Sequence, residues 1–153
     1  MPLLDLTVDR DDVPSLNVTD EELQHLLQHA LVEMVGPDAA DWQISILFTT
    51  DDRIQQMHDE FMGIDTPTDI MTFPYASDDF MPEGMGGEGG DLVISVETAA
   101  ANARDAGWST EDELRYLVLH GLLHLLGWND TTPEDRAAML RQQDALLTSW
   151  RTR

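Results

Sequence analysis

The chain has 153 residues, 42% of them hydrophobic and 25% charged, which is the length and composition of one folded domain and excludes a disordered one. There is no cysteine, so disulfides, thiolate catalysis, iron–sulfur clusters and cysteine-ligated zinc are excluded, and any metal must be held by His, Asp or Glu. Against 30 acids stand 8 bases, every one Arg, and the resulting charge of −22 repels bare nucleic acid and anionic lipid at long range. No apolar run reaches the ~20 residues that span a bilayer. Four of the first dozen residues are acids, where a secretory signal carries bases, so a cytoplasmic protein is expected.

In chain order, Leu3, Leu4, Leu6 and Val8 predict a first strand. Thr19, with Glu22 three residues on, reads as a capping box. The helix it opens carries Leu23, Leu26, Leu27, Ala30, Leu31, Met34 and Val35 at helical spacing and stops at Gly36-Pro37. His25 and His29 are four apart there, but no acid completes a ligand set, so they read as boundary histidines. Trp42, Ile44, Ile46 and Phe48 alternate as a half-buried strand. Asp51 to Met62 is a helix with Ile54, Met57, His58 and Phe61 on one side, closed by Gly63. Ile70 to Phe73 is a strand that Pro74 places at an edge.

Residues 76–90 are rich in glycine and acid and read as a long mobile connection; no Gly-Lys-Ser/Thr follows, so they are no phosphate loop. Leu92 to Val96 is a strand and Glu97 to Ala106 a helix ended by Gly107. Ser109 or Thr110 caps a strongly apolar helix bearing Leu114, Leu117, Val118, Leu122, Leu125 and Leu126, expected at the centre of the fold and ended by Gly127. A last helix starts near Pro133 behind Thr131 and Glu134 and buries Ala137, Leu140, Ala145, Leu146 and Leu147. The expectation is a single domain over residues 1–153, of class α/β (α+β), with a mixed sheet of about four strands and four to five helices.

The chemistry concentrates in His120-Gly-Leu-Leu-His124-Leu-Leu-Gly127-Trp-Asn-Asp130. Histidines at i and i+4 share a helix face and reach one ion. Gly127 lets the chain leave through a left-handed turn and return Asp130 to the same point. Two imidazoles, one carboxylate and an open position suit zinc, with iron and manganese also fitting two histidines and a carboxylate. Two imidazoles buried among leucines without a partner would cost free energy, and a metal satisfies both.

These residues resemble a known family, the YbeY-type rRNA maturation factors, whose signature is His-Gly-x-Leu-His-Leu-x-Gly-Tyr-Asp-His. HGLLHLLGWND at 120–130 matches it, as do HDEFM at 58–62, TDIMTFP at 68–74 and Gly90-Asp91-Leu92 to the family's other segments. The resemblance covers about residues 42 to 140 and implies a small metal-dependent endoribonuclease. By it, His120, His124 and Asp130 are metal ligands of one Zn²⁺ per chain, Asp130 standing where most members carry His. It also implies single-stranded or ribosomal RNA and the small ribosomal subunit with its proteins as partners, and no membrane. Met62 stands where the family places an Arg, and Arg53 or Arg104 are the candidates to replace it. Asp91, Asp69, Thr72 and Trp128 are the candidate substrate or metal-supporting residues, with a turn contact to Thr68 as the structural role of Asp69, a sheet or pocket-wall role for Thr72, and base stacking or a lid on the core for Trp128. The motif leaves no spare histidine as a general base, and the catalytic residue is not specified.

Two rivals remain at the sequence level. His120-x-x-x-His124-x-x-Gly127-x-x-Asp130 has metzincin metal spacing, but the general-base Glu of that pattern is Gly121 here. A non-catalytic, metal-stabilised protein could instead dock its acidic surface on basic ribosomal proteins.

Overall fold

The computed structural model of the chain describes residues 2–75 and 88–152. Its elements are β1 (Leu4–Arg10), α1 (Asp20–Val35), β2 (Trp42–Thr49), α2 (Asp51–Met62), β3 (Ile70–Pro74), β4 (Glu88–Ser95), α3 (Val96–Ala106), α4 (Thr110–Leu125) and α5 (Pro133–Thr152). The strands form one mixed sheet in the order β1-β2-β4-β3, with β1, β2 and β4 parallel and β3 antiparallel at the edge, where Pro74 was expected to put it. Among the described residues, four strands and five helices make the α/β class expected from the sequence.

Strand alternation assigns the two faces of the sheet. Ile44, Ile46, Phe48, Leu92 and Ile94 enter the main core together with α1, α3, α4 and α5. Met71 and Val93, paired in register, form a smaller cluster with Ile54 of α2, to which Leu47, Met57 and Phe73 add. Helix α4 touches α1, α3, α5, β3 and β4 and is the central helix of the larger layer. Leu114, Val118, Leu119, Leu122 and Leu123 on it are fully buried; each contributes about 1.5–3 kcal/mol of hydrophobic stabilisation on an area basis.

The caps follow local chemistry with some shifts. Thr19 Oγ1 accepts from the Glu22 amide at 3.1 Å, but the Glu22 carboxylate turns to Arg115 rather than closing the box. The α5 cap is Thr132, accepting from Asp135, one residue beyond the expected Thr131 and Glu134. Helix α5 buries Met139, Gln143, Leu146, Leu147 and Trp150, while Ala137 and Ala145 face solvent. On α2, Ile54 is buried but Phe61 is 60% exposed, its ring set edge-on to Phe73 at 5.4 Å. Strand β4 starts at Glu88, so residues 88–90 are paired backbone, not connection, and Val96 opens α3. The rest of the expected connection, 76–87, lies outside the described residues.

Candidate metal centre

Helix α4 sets His120 and His124 one turn apart on one face. It ends in a Schellman turn: the Gly127 amide donates to the His124 carbonyl at 3.0 Å and the Trp128 amide to Leu123 at 3.0 Å. Gly127 has φ +95°, a left-handed conformation that glycine tolerates without strain. The chain reverses there and Asp130 comes back over the helix. His120 Nε2 and His124 Nε2 are 3.0 Å apart, and Asp130 Oδ2 is 3.5 Å and 3.6 Å from them.

These three atoms suit a cation. A tetrahedral site with bonds of ~2.0–2.1 Å has ligand–ligand edges of about 3.3–3.4 Å, and the observed triangle brackets that length. The hydrogen-bonding of the rings points the same way. His120 Nδ1–H donates to Gln143 Oε1 at 2.8 Å, and the Gln143 amide donates in turn to the Tyr116 carbonyl at 3.2 Å. His124 Nδ1–H donates to the Trp128 carbonyl at 3.1 Å. With both Nδ1 atoms serving as donors, the Nε2 atoms of the two rings are turned to the same point, beside a carboxylate, where each can offer a lone pair to a metal. Three electron-rich atoms converging in this way call for a shared positive charge. Among the described residues this is the one group of His, Asp and Glu side chains close enough to hold a metal. Burial pushes the His120 imidazole below its ordinary pKa, with His124 acting in the same sense and Gln143, Asp130 and Asp69 opposing; neutral imidazole is the form that ligates.

His120 and Asp130 open onto a cavity of about 420 Å³ whose wall also includes Asp69, Asn102, Glu113, Tyr116, Arg136 and Gln143. Burial raises the Glu113 carboxyl pKa, with Asp69 acting in the same sense, while a 2.8 Å hydrogen bond from the Trp108 indole opposes.

The remaining residues singled out in the sequence fall in different places. Asp69 shares the cavity with His120 and Asp130, and its Oδ1 is 3.5 Å from the Thr68 hydroxyl, at the limit of a hydrogen bond. Thr72 is half-buried and pairs with Leu92 in β3–β4. Asp91 accepts from the Tyr75 hydroxyl at 2.5 Å and lines a separate cavity beneath α2 with Met57, Phe61 and Phe73. Its neighbour Leu92 points the other way, towards α4. The Trp128 ring packs partly on the core, and its carbonyl holds His124. Met62 is 53% exposed at the end of α2 and, like Arg53 and Arg104, lies outside the wall of the His120 cavity. His29 contacts Ser149 and Glu33, not His120, His124 or Asp130.

Gln143, Glu113 and Arg136 were not singled out as site residues in the sequence. Gln143 left one trace: a polar residue inside the stripe of Met139, Leu146 and Leu147 on α5. Gly121 packs against the sheet, where an added Cβ would meet Leu92 Cδ2 at 2.7 Å and Ile70 Cδ1 at 3.1 Å. The position that carries the metzincin base is thus filled by the core.

Comparison with known proteins agrees with this architecture. A family model described as Endoribonuclease YbeY matches residues 9–151. The Endoribonuclease YbeY of Lysinibacillus sphaericus is 35% identical over 153 residues, covering 96% of this chain and 94% of its own. That of Salinispora tropica is 37% identical over 144 residues, covering 89% and 90%. The solution structure of TM1509 from Thermotoga maritima superimposes with a TM-score of 0.57 over 96% of this chain and 92% of its own, at 24% identity, and so shares the fold. With its match spanning nearly the whole sequence, the chain belongs to the YbeY endoribonuclease family.

Proposed function

We propose that this protein is a metal-dependent endoribonuclease that cuts single-stranded RNA during ribosomal RNA processing, acting on the small ribosomal subunit in the cytoplasm, with one Zn²⁺ per chain. The observation that carries the reading is the convergence of His120 Nε2, His124 Nε2 and Asp130 Oδ2, with His120 and Asp130 lining a cavity, in a chain of this family. A divalent cation bound there would supply Lewis acidity towards a phosphoryl oxygen or water. His120, His124 and Asp130 would hold it, with Gln143 and the Trp128 carbonyl fixing the two rings through their Nδ1 atoms. The site is partly open, with side-chain exposures of 18% for His120, 23% for His124 and 31% for Asp130, which leaves room for substrate. Asp69 and Glu113 are the carboxylates placed to exchange protons or orient water in the cavity.

Purified protein should contain close to one zinc per chain, lost in His124→Ala. It should cut single-stranded RNA in a way that a chelator and His120→Ala both abolish. Cutting that survives either treatment would assign the activity to a contaminant. A docking role without cutting is the second reading, favoured by the −22 charge; co-sedimentation with small ribosomal subunits by a protein that leaves RNA intact would establish it. Casein cleavage dependent on His120 would instead restore the peptidase that Gly121 argues against.

A further inference from the structure

The wall of the His120 cavity carries three carboxylates, Asp69, Glu113 and Asp130, and a single cationic side chain, Arg136. With neutral imidazoles, these carboxylates outweigh a dication. The Arg136 guanidinium brings the cavity back to neutrality, and without it an arriving phosphodiester meets a net negative wall. Arg136 is also uncommitted. Arg10 is paired with Asp20, Arg115 with Glu22 and Asp112, and Arg151 with Asp112. The Arg136 side chain makes no ion pair or hydrogen bond with any described residue, although it shares a cavity with those carboxylates. Its place is set by α5. Arg136, Leu140 and Gln143 stand at i, i+4 and i+7 on one face of that helix, and all three line the cavity. The face that presents Gln143 to His120 therefore presents a guanidinium to whatever occupies the space beside the metal ligands. Arg53, Arg104 and Arg141 do not line this cavity.

We infer that Arg136 is the phosphate anchor of this site, donating to the phosphodiester oxygens of a single-stranded RNA whose backbone lies across the metal ligands. The inference rests on the ribonuclease reading above and adds to it the group that receives the substrate's charge. A guanidinium offers paired N–H donors matched to two phosphate oxygens, a geometry that lysine does not reproduce.

The test is equilibrium binding of a fluorescein-labelled, 2′-O-methylated single-stranded oligoribonucleotide to the metal-loaded protein at several salt concentrations, with the probe checked intact by electrophoresis. Arg136→Ala should weaken binding about tenfold, as expected for losing a charge-assisted hydrogen bond. It should also reduce the slope of log K against log salt by about 0.7, the value of one phosphate contact on a single strand. Arg136→Lys should retain the slope and recover only part of the affinity. Arg141→Ala, an exposed arginine on the same helix outside the cavity, should match the parent protein. Metal content and melting temperature of each variant show that the fold and the ligands are intact. If Arg136→Ala binds with the parent's affinity and slope while the parent cuts RNA, the anchor is refuted and the ribonuclease reading stands. Equal losses in Arg136→Ala and Arg141→Ala would also overturn it, because general surface charge would then explain both. If the parent neither binds nor cuts single-stranded RNA, both readings fall together.

Discussion

Replacing Gln143 with leucine removes the acceptor that holds the His120 ring while leaving His120, His124 and Asp130, the candidate metal ligands, in place. Gln143 is buried, with 1% of its surface exposed, and spans two contacts: His120 Nδ1 at 2.8 Å and the Tyr116 carbonyl at 3.2 Å. Leucine fills a similar volume but accepts nothing, so the Nδ1–H of His120 loses its partner and the ring is no longer held in the tautomer that ligates. Losing such a supporting contact weakens metal binding by about 10–100-fold, which is roughly 1.4–2.7 kcal/mol. Binding linkage passes that loss to stability, so the gain on adding saturating metal should shrink by the same amount. For a chain of this length, 1 kcal/mol moves the melting temperature by about 2–4 °C, and the metal-induced rise should fall by about 3–11 °C. The assay is a zinc titration against a chromophoric competitor, run beside thermal melts with and without metal. Gln143→Glu, which keeps an acceptor at the same place, should retain more affinity than Gln143→Leu. A leucine variant with parental zinc affinity and an undiminished metal-induced shift would show that Gln143 does not orient the ligand.

Chelating the metal from the parent should itself lower the melting temperature, since a ligand at a thousand times its Kd contributes about 4 kcal/mol; His124→Ala should melt at the same temperature with and without zinc. Gly127→Ala meets no steric obstacle, but it forces a side chain into φ +95°. It should destabilise the fold by about 1–2 kcal/mol and, by loosening the turn that returns Asp130, weaken zinc binding. Denaturation with and without metal separates those two effects, and a fully stable variant would count against the strained exit. Burial holds the Glu113 carboxyl above its ordinary pKa. Its protonated form therefore adds stability in full below the unfolded-state pKa, and that contribution is lost as pH rises through the folded-state value. Glu113→Gln keeps an acceptor for Trp108 and removes the buried charge, so its stability relative to the parent should increase across that window and then level off. Urea denaturation at a series of pH values checks this, and a pH-independent difference would remove Glu113 as the titrating group.

Much of the site was legible locally. His120 and His124 are four residues apart on an uninterrupted apolar helix, and their shared face follows from 3.6 residues per turn. Gly127 marks the helix exit because few other residues adopt its backbone conformation. The alternation of β2 and the stripe of α1 identified core positions for the same reason: one face of each element must leave water. These are relations among residues within a few positions of one another, determined by backbone geometry together with the tendency of one apolar face to leave water.

The assembly of the cavity depended on relations that no local pattern contains. Gln143 reaches His120 across 23 positions because α5 packs on α4, and the same packing presents Arg136. Asp91 adjoins Leu92 in sequence, yet strand alternation sends them to opposite faces of the sheet, Leu92 towards α4 and Asp91 into the cavity under α2. Which face receives the helix that carries His120 and His124 is set by how the whole chain buries its apolar surface. Hydrophobic burial is non-directional, so a sequence pattern shows that a side chain leaves water without showing which neighbours it meets there.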